Sequence, residues 1–197
     1  MLERFLDFIL LAILCAALLF FSPLEAYGAA PRFQLRDTTG AIHTPAEWAG
    51  AKAIVLFFVT NDCPVTNSYV PEMDSIQAAY SGRGVRTYAV QADTSVPVAD
   101  VERYAVEYRY EFPLLLDPHQ VLVQLTGATV TPQAIVLSPD GTVLYRGRID
   151  NRVQDFGKQR PAATVHELRD ALDAVLAGKP ISTPFTKSVG CAITEVR

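Results

Sequence analysis

Cys63 is the residue in this chain best placed to do chemistry. It follows the apolar run Ala-Ile-Val-Leu-Phe-Phe-Val (53–59) and stands in Thr60-Asn-Asp-Cys-Pro-Val-Thr-Asn67. The run is rich in β-formers, and after Cys63 apolar residues repeat at helical spacing, so the cysteine falls at a strand-to-helix junction. The first N–H groups of a helix have no partner within it and carry partial positive charge. A thiolate there is stabilised, and such environments bring a thiol from about 8.5 to roughly 3.5–7.5. Pro64 suits the first helical position, where a missing N–H costs nothing. Thr66 and Asn67 share the cysteine's helix face and are candidate donors to the sulfur, while the charge of Asp62 opposes ionisation. The alternative is a buried structural cysteine, but Cys-Pro at a helix start favours a redox nucleophile.

A dithiol motif would place its second cysteine where this chain has Thr66. Any second thiol must therefore come from elsewhere. Cys191, in Gly-Cys-Ala-Ile (190–193), is the other cysteine of the body. It is a resolving thiol for a sulfenic acid on Cys63, half of a permanent bridge, or a free thiol. A bridge closing so long a loop would stabilise the fold by about 4–5 kcal/mol in the entropy model. Spacing does not choose among the three. Arg146, Arg148 and Arg152 are candidates for positive charge near the site, or else a solvated edge partnered by Asp150. His43, His119 and His166 show no ligand spacing, so neither a metal nor a cofactor is assigned. A soft copper site built from His119 with the two cysteines is the runner-up chemistry.

These residues need a scaffold. Arg32–Thr44 reads as a short β-hairpin turned at Gly40. After the run at 53–59, Val65, Tyr69, Met73, Ile76 and Tyr80 mark a helix that Pro71 should kink. Val85–Asp93 is a strand, Val98, Val101, Ala105 and Tyr108 mark a second helix, and Phe112–Asp117 is extended. A short helix then ends at Gly127. Ala134–Ser138 and Thr142–Ile149 flank Pro-Asp-Gly as a hairpin. Thr164 with Glu167 forms a capping-box pattern for a last helix whose apolar face is Val165, Leu168, Leu172 and Val175. Residues 150–161 read as a polar loop, and the tail after Lys179 has no usable period. Alternating β and α units imply an α/β sheet with helices on both faces. Thr131-Pro132 comes just before a strong strand, where the proline belongs at a sheet edge or a strand start. Its peptide bond is trans by default, since only about 5–6% of such bonds are cis.

The strand 53–59, the Thr-Asn-Asp-Cys-Pro stretch, Val130-Thr-Pro-Gln-Ala-Ile-Val-Leu-Ser-Pro-Asp-Gly141 and the order of elements together resemble the thioredoxin-like superfamily. More narrowly, they resemble its AhpC/TSA–redoxin branch, which contains the peroxiredoxins. The resemblance covers about Pro31 to Ala177. It implies a thioredoxin-like α/β fold, a central mixed sheet flanked by helices, with an N-terminal β-hairpin. It implies a cis Thr131-Pro132 packed beside Cys63, reversing the trans default, and a hydroxyl on Thr60 that helps hold a peroxide. Leu56 and Pro132 depart from the peroxiredoxin proline and arginine. The implied activity is a thiol-based antioxidant oxidoreductase that reduces a peroxide or protein disulfide through Cys63, using an external thiol donor. Thr60, Thr131, Pro132 and Cys191 complete the expected site. The alternatives are an exported copper-handling protein or a thioredoxin-like binding module without peroxidase activity.

Residues 8–21 are uncharged and apolar, too short for a spanning helix and suited to a signal core. Small residues at 26 and 28 suit cleavage before Ala29, yet Glu3 and Asp7 flank Arg4, so an uncleaved anchor stays open. The expected organisation is a signal peptide or anchor at 1–28, a redoxin domain at 29–180, and a tail at 181–197 carrying Cys191. Either form of the leader places the body in the periplasm or another extracytoplasmic space, touching membrane only through the N-terminal segment. The net charge of −4, with no basic block, argues against a nucleic-acid partner.

Overall fold

The computed structural model describes residues 31–194; the leader assigned to 1–28 lies outside them. A hairpin of β1 (Leu35–Arg36) and β2 (Ile42–His43) comes first, and a 3-10 turn at Pro45–Trp48 leads to β3 (Ala53–Val59). Next come α1 (Pro64–Tyr80), β4 (Val85–Gln91), α2 (Val98–Glu107), β5 (Leu114–Leu116) and α3 (Val121–Thr126). A two-residue strand β6 (Val130–Thr131) precedes the hairpin of β7 (Gln133–Leu137) and β8 (Val143–Gly147). A small hairpin of β9 (Val153–Asp155) and β10 (Lys158–Gln159), α4 (Glu167–Leu176) and β11 (Cys191–Ala192) complete the chain.

The main sheet has the order β5-β4-β3-β7-β8. Strands β3, β4 and β5 run parallel, while β7 is antiparallel to β3 and to β8. This is the mixed α/β sheet expected. Every residue of β3 is buried, as a continuous apolar run requires when both faces are covered. Its side chains alternate between two cores. Val55, Phe57 and Val59 join Tyr69, Met73 and Ile76 of α1, Val101 of α2, and Leu168 and Leu172 of α4. Ile54, Leu56 and Phe58 join Leu35, Trp48, Leu122 and Ile135 on the opposite face. The first core ties the start of α1 to the end of β3, which fixes where Cys63 sits.

Two local expectations change, while α1 runs as expected through Pro71 to Tyr80. One missing N–H is outweighed there by the buried face of Tyr69, Val70, Met73 and Ile76. The capping box at Thr164 does not form: α4 begins at Glu167, with His166 in the cap position. Asn151 takes both partners away, accepting from the N–H groups of Thr164 and Val165 and donating to the Thr164 hydroxyl. Val165 is left exposed, outside the apolar face assigned to it. The tail is ordered as a strand rather than featureless: β11 pairs with β6 in antiparallel register. Among the described residues no helix is long and apolar enough to cross a membrane.

Candidate active site

Cys63 is the N-cap of α1, with extended backbone at φ −87 and ψ 109, and Pro64 is the first helical residue. Its side chain is fully buried, and its thiol donates to the carbonyl of Thr131 at 3.2 Å. The Thr131–Pro132 peptide is cis. Burial alone pushes the Cys63 thiol up. The Cys191 thiol, the N–H and hydroxyl of Thr66 and the N–H of Cys191 outweigh it, and the net direction is down. The Thr66 hydroxyl is itself fully buried and has no hydrogen-bond partner at rest. An ionised sulfur beside it supplies the missing acceptor, so this threonine stabilises the thiolate more than the thiol.

The second thiol is Cys191. Its Sγ lies 2.6 Å from Cys63 Sγ and donates to it, within reach of a bond of about 2.05 Å. Burial, the hydrogen bond to Cys63, the charge of Cys63 and that of Asp62 push the Cys191 thiol up to about 12. The pair is therefore polarised: of the two thiols, Cys63 is the one that gives up its proton more readily. Exposure differs too, since Cys63 is enclosed whereas Cys191 is only partly covered.

The β6–β11 register puts Cys191 opposite Thr131 and Ala192 opposite Val130. The Ile193 N–H extends the ladder to the Thr129 carbonyl at 2.9 Å. Gln120 clasps the strand end, its amide donating to Thr194 O at 2.7 Å and Ala92 O at 3.0 Å. Gly190 makes the close approach possible. A Cβ there would meet Thr131 O at 2.0 Å and Pro132 Cδ at 3.1 Å, so only glycine lets the tail lie this close to the cis-proline loop. A pocket of about 110 Å³ beside the tail is lined by Thr60, Asp62, Ala92, Asp93, Cys191 and the end of β6 at Thr131, among others.

The structure thus brings Cys63, Cys191, Thr131 and Pro132 together. Thr66 joins them as a donor to Cys63 and Thr60 lines the adjoining pocket, whereas most of the remaining candidates are held by other partners. Thr60 directs its hydroxyl to Asp62 at 2.9 Å. Asn67, expected as a donor to the sulfur, instead donates to Tyr108 and Asn61 O and accepts from Tyr104. The three arginines have structural partners: Arg146 bonds the carbonyls of Thr126 and Gly127, Arg148 pairs with Glu167, and Arg152 bonds Ser68 O. Asp150 is buried and accepts from the Tyr69 hydroxyl at 2.6 Å rather than partnering a solvated edge. His119 is exposed and joins no potential ligand cluster among the described residues. The one cluster found there, Glu72, Asp150 and His166, has its carboxylates engaged with Arg169 and Tyr69. Gly190 and Gln120 were not legible as site residues. The only trace of Gly190's role was a glycine immediately before a cysteine.

Comparison with known proteins agrees with this fold. The profile described as AhpC/TSA family matches residues 27–146. The chain is 26% identical over 130 residues to the thiol-disulfide oxidoreductase ResA of Halalkalibacterium halodurans, a match covering 64% of this chain and 72% of that one. A hypothetical protein from Sinorhizobium meliloti superposes with a TM-score of 0.70 and 26% identity, over 86% of this chain and 95% of the other. A proposed thiol:disulfide interchange protein DsbE from Chlorobium tepidum superposes at 0.59 and 24% identity, over 75% and 95% of the two chains, and shows the fold alone. On the family match over residues 27–146, the chain belongs to the AhpC/TSA family, as a thiol-dependent oxidoreductase of thioredoxin-like fold.

Proposed function

We propose that this protein is a thiol–disulfide oxidoreductase whose working pair is Cys63 and Cys191, cycling between dithiol and disulfide. The observation that carries the reading is the 2.6 Å separation of the two sulfurs across the cis-proline loop. Cys191 supplies from the tail what a dithiol motif would supply from position 66. Cys63 is the nucleophile, Thr66 and the start of α1 hold its charge, and Thr131 and Pro132 shape the surface against which Cys191 docks. The substrate reading favoured is a disulfide rather than a peroxide. Leu56 and Pro132 stand where the peroxide-binding proline and arginine would be, and the Thr60 hydroxyl is committed to Asp62. The external donor is a thiol. The uncharged stretch at residues 8–21 supports an exported location, where disulfide exchange has substrates.

In the step proposed, the reduced chain, with no disulfide tying β11 down, lifts Cys191 from β6; the Cys63 thiolate then attacks one sulfur of a substrate disulfide and the other substrate sulfur leaves as a thiolate. Cys191 then gives up its proton and attacks Cys63 Sγ, releasing the second substrate thiol and leaving the Cys63–Cys191 disulfide. Two electrons pass to the substrate. The test is to equilibrate the full chain with glutathione disulfide, then count thiols and map the linkage by mass. Loss of both thiols to one Cys63–Cys191 linkage, absent in Cys63→Ser and in Cys191→Ser, is expected. Undiminished turnover of a disulfide substrate by Cys191→Ser would remove the pair from the mechanism.

A further inference from the structure

We propose that the reducing thiol enters this site at Cys191, not at Cys63, and that the carboxylates of Asp62 and Asp93 select a neutral or cationic thiol over an anionic one. The inference rests on the disulfide reading above and deepens it, by naming the sulfur attacked and the chemical class of the donor.

Access decides the first part. Cys63 has no exposed surface. Thr131 O lies against its sulfur on one side, α1 begins on another, and the Cys191 sulfur covers it on a third. Cys191 is partly exposed, and it, not Cys63, lines the 110 Å³ pocket. A nucleophile arriving from solvent through that pocket therefore reaches Cys191 with the tail still paired to β6. Reaching Cys63 instead would require breaking the register of Cys191 with Thr131 and of Ala192 with Val130.

Leaving-group chemistry points the same way. Exchange is faster when the departing sulfur is the more stable thiolate. Attack on Cys191 expels Cys63, whose thiolate is stabilised by the N–H and hydroxyl of Thr66 and by the N–H of Cys191. Attack on Cys63 would expel Cys191, a thiolate disfavoured by burial and by Asp62. The step balances as follows. A donor thiolate forms a bond to Cys191 Sγ, the Cys63–Cys191 bond breaks, and its electron pair leaves on Cys63. A second donor thiolate attacks the donor sulfur of that mixed disulfide. Cys191 departs and takes up a proton, and the donor leaves as its own disulfide.

Charge decides the second part. The lining of this pocket contains two acids, Asp62 and Asp93, and no lysine or arginine. Each acid spends one oxygen locally, Asp62 on Thr60 and Asp93 on Ser95. Neither is neutralised, because those partners are hydroxyl and amide groups. Their field is unfavourable to an approaching donor with a carboxylate or sulfonate and favourable to an ammonium. At low ionic strength the two extremes should differ by about tenfold in rate, and salt should shrink the gap.

The experiment takes the full chain, oxidised to the Cys63–Cys191 disulfide. It measures reduction by cysteamine, 2-mercaptoethanol and 2-mercaptoethanesulfonate, with each rate expressed per thiolate. Acid quenching followed by peptide mapping locates the mixed disulfide. The expected results are an adduct on Cys191 and a rate order of cation above neutral above anion. The order should flatten in high salt and in Asp62→Asn and Asp93→Asn. An adduct on Cys63, or equal rates for all three donors, overturns the inference while leaving the disulfide reading intact. If the oxidised chain holds no Cys63–Cys191 linkage, the reading itself falls and this inference falls with it.

Discussion

Replacing Gly190 with alanine would perturb the site without altering either sulfur. The added Cβ would lie 2.0 Å from Thr131 O, 2.7 Å from the Thr131 carbonyl carbon and 3.1 Å from Pro132 Cδ. The obstacle is backbone, so the tail must lift. Lifting breaks the β6–β11 pairing, the Ile193 N–H bond to Thr129 and the Gln120 clasp on Thr194. With a net value of about 1 kcal/mol for each hydrogen bond, tail docking contributes about 3–4 kcal/mol, and that sets the upper limit of the loss. Partial retention leaves about 1.5–3 kcal/mol, roughly a tenfold to hundredfold fall in the constant for closing the Cys63–Cys191 disulfide. On a scale of about 30 mV per tenfold for a two-electron couple, the reduction potential should rise by about 30–60 mV. The assay is equilibration in graded glutathione buffers, with the disulfide fraction read by alkylation and mass. The reduced variant should also expose Cys63 to alkylation faster than wild type. Gly82→Ala, whose added Cβ meets nothing within 4 Å, is the control. A Gly190→Ala constant within about twofold of wild type would refute the argument that tail docking closes the pair.

Two further outcomes follow from single groups. Thr66→Val removes a donor from the Cys63 thiolate; the midpoint of the alkylation-versus-pH curve for Cys63 should move up. Thermal stability should hold or rise by up to about 1 kcal/mol, because an unpartnered buried hydroxyl is lost. An unchanged midpoint would deny Thr66 its part. His43 is held between Glu47 at 2.9 Å and Asp37 at 3.0 Å. Burial alone would lower its pKa, but the two carboxylates outweigh it and raise it. A raised folded pKa means the ion pairs contribute fully below the unfolded value of about 6.5, and the contribution is lost as pH rises through the folded pKa. His43→Gln should therefore cost about 1–3 kcal/mol below that value, with the deficit shrinking as the medium becomes alkaline. Denaturant midpoints across pH measure it, and a deficit that grows with pH would contradict the assignment.

Some of the site was readable because its causes are local. The continuous apolar run at 53–59 has only one comfortable home, a strand covered on both faces, and the helical repeat after Cys63 fixes the junction at that residue. A helix start polarises a sulfur whatever the rest of the fold does. By contrast, Asn67 has the same helical placement as a true donor to Cys63 yet serves Tyr104 and Tyr108. Tyr104 arrives from α2 and Tyr108 from the cap at its end, and no local pattern announces them. Thr164 carried a correct capping signature and lost it to Asn151, a residue brought in by the turn after β8.

The amino-acid order alone determined the α/β class, the thiol chemistry of a Cys-Pro helix start and the absence of a nearby second cysteine. Periodicity and helix-end polarity act over a few residues and survive in any fold consistent with them. Only the tertiary structure decided what completes Cys63. Pairing of the tail with β6 depends on a glycine that admits backbone contact and on hydrogen bonds that link the tail to Gln120, Thr129 and Thr131. Those contacts join positions about sixty or more residues apart, and their energy exists only once the sheet has formed.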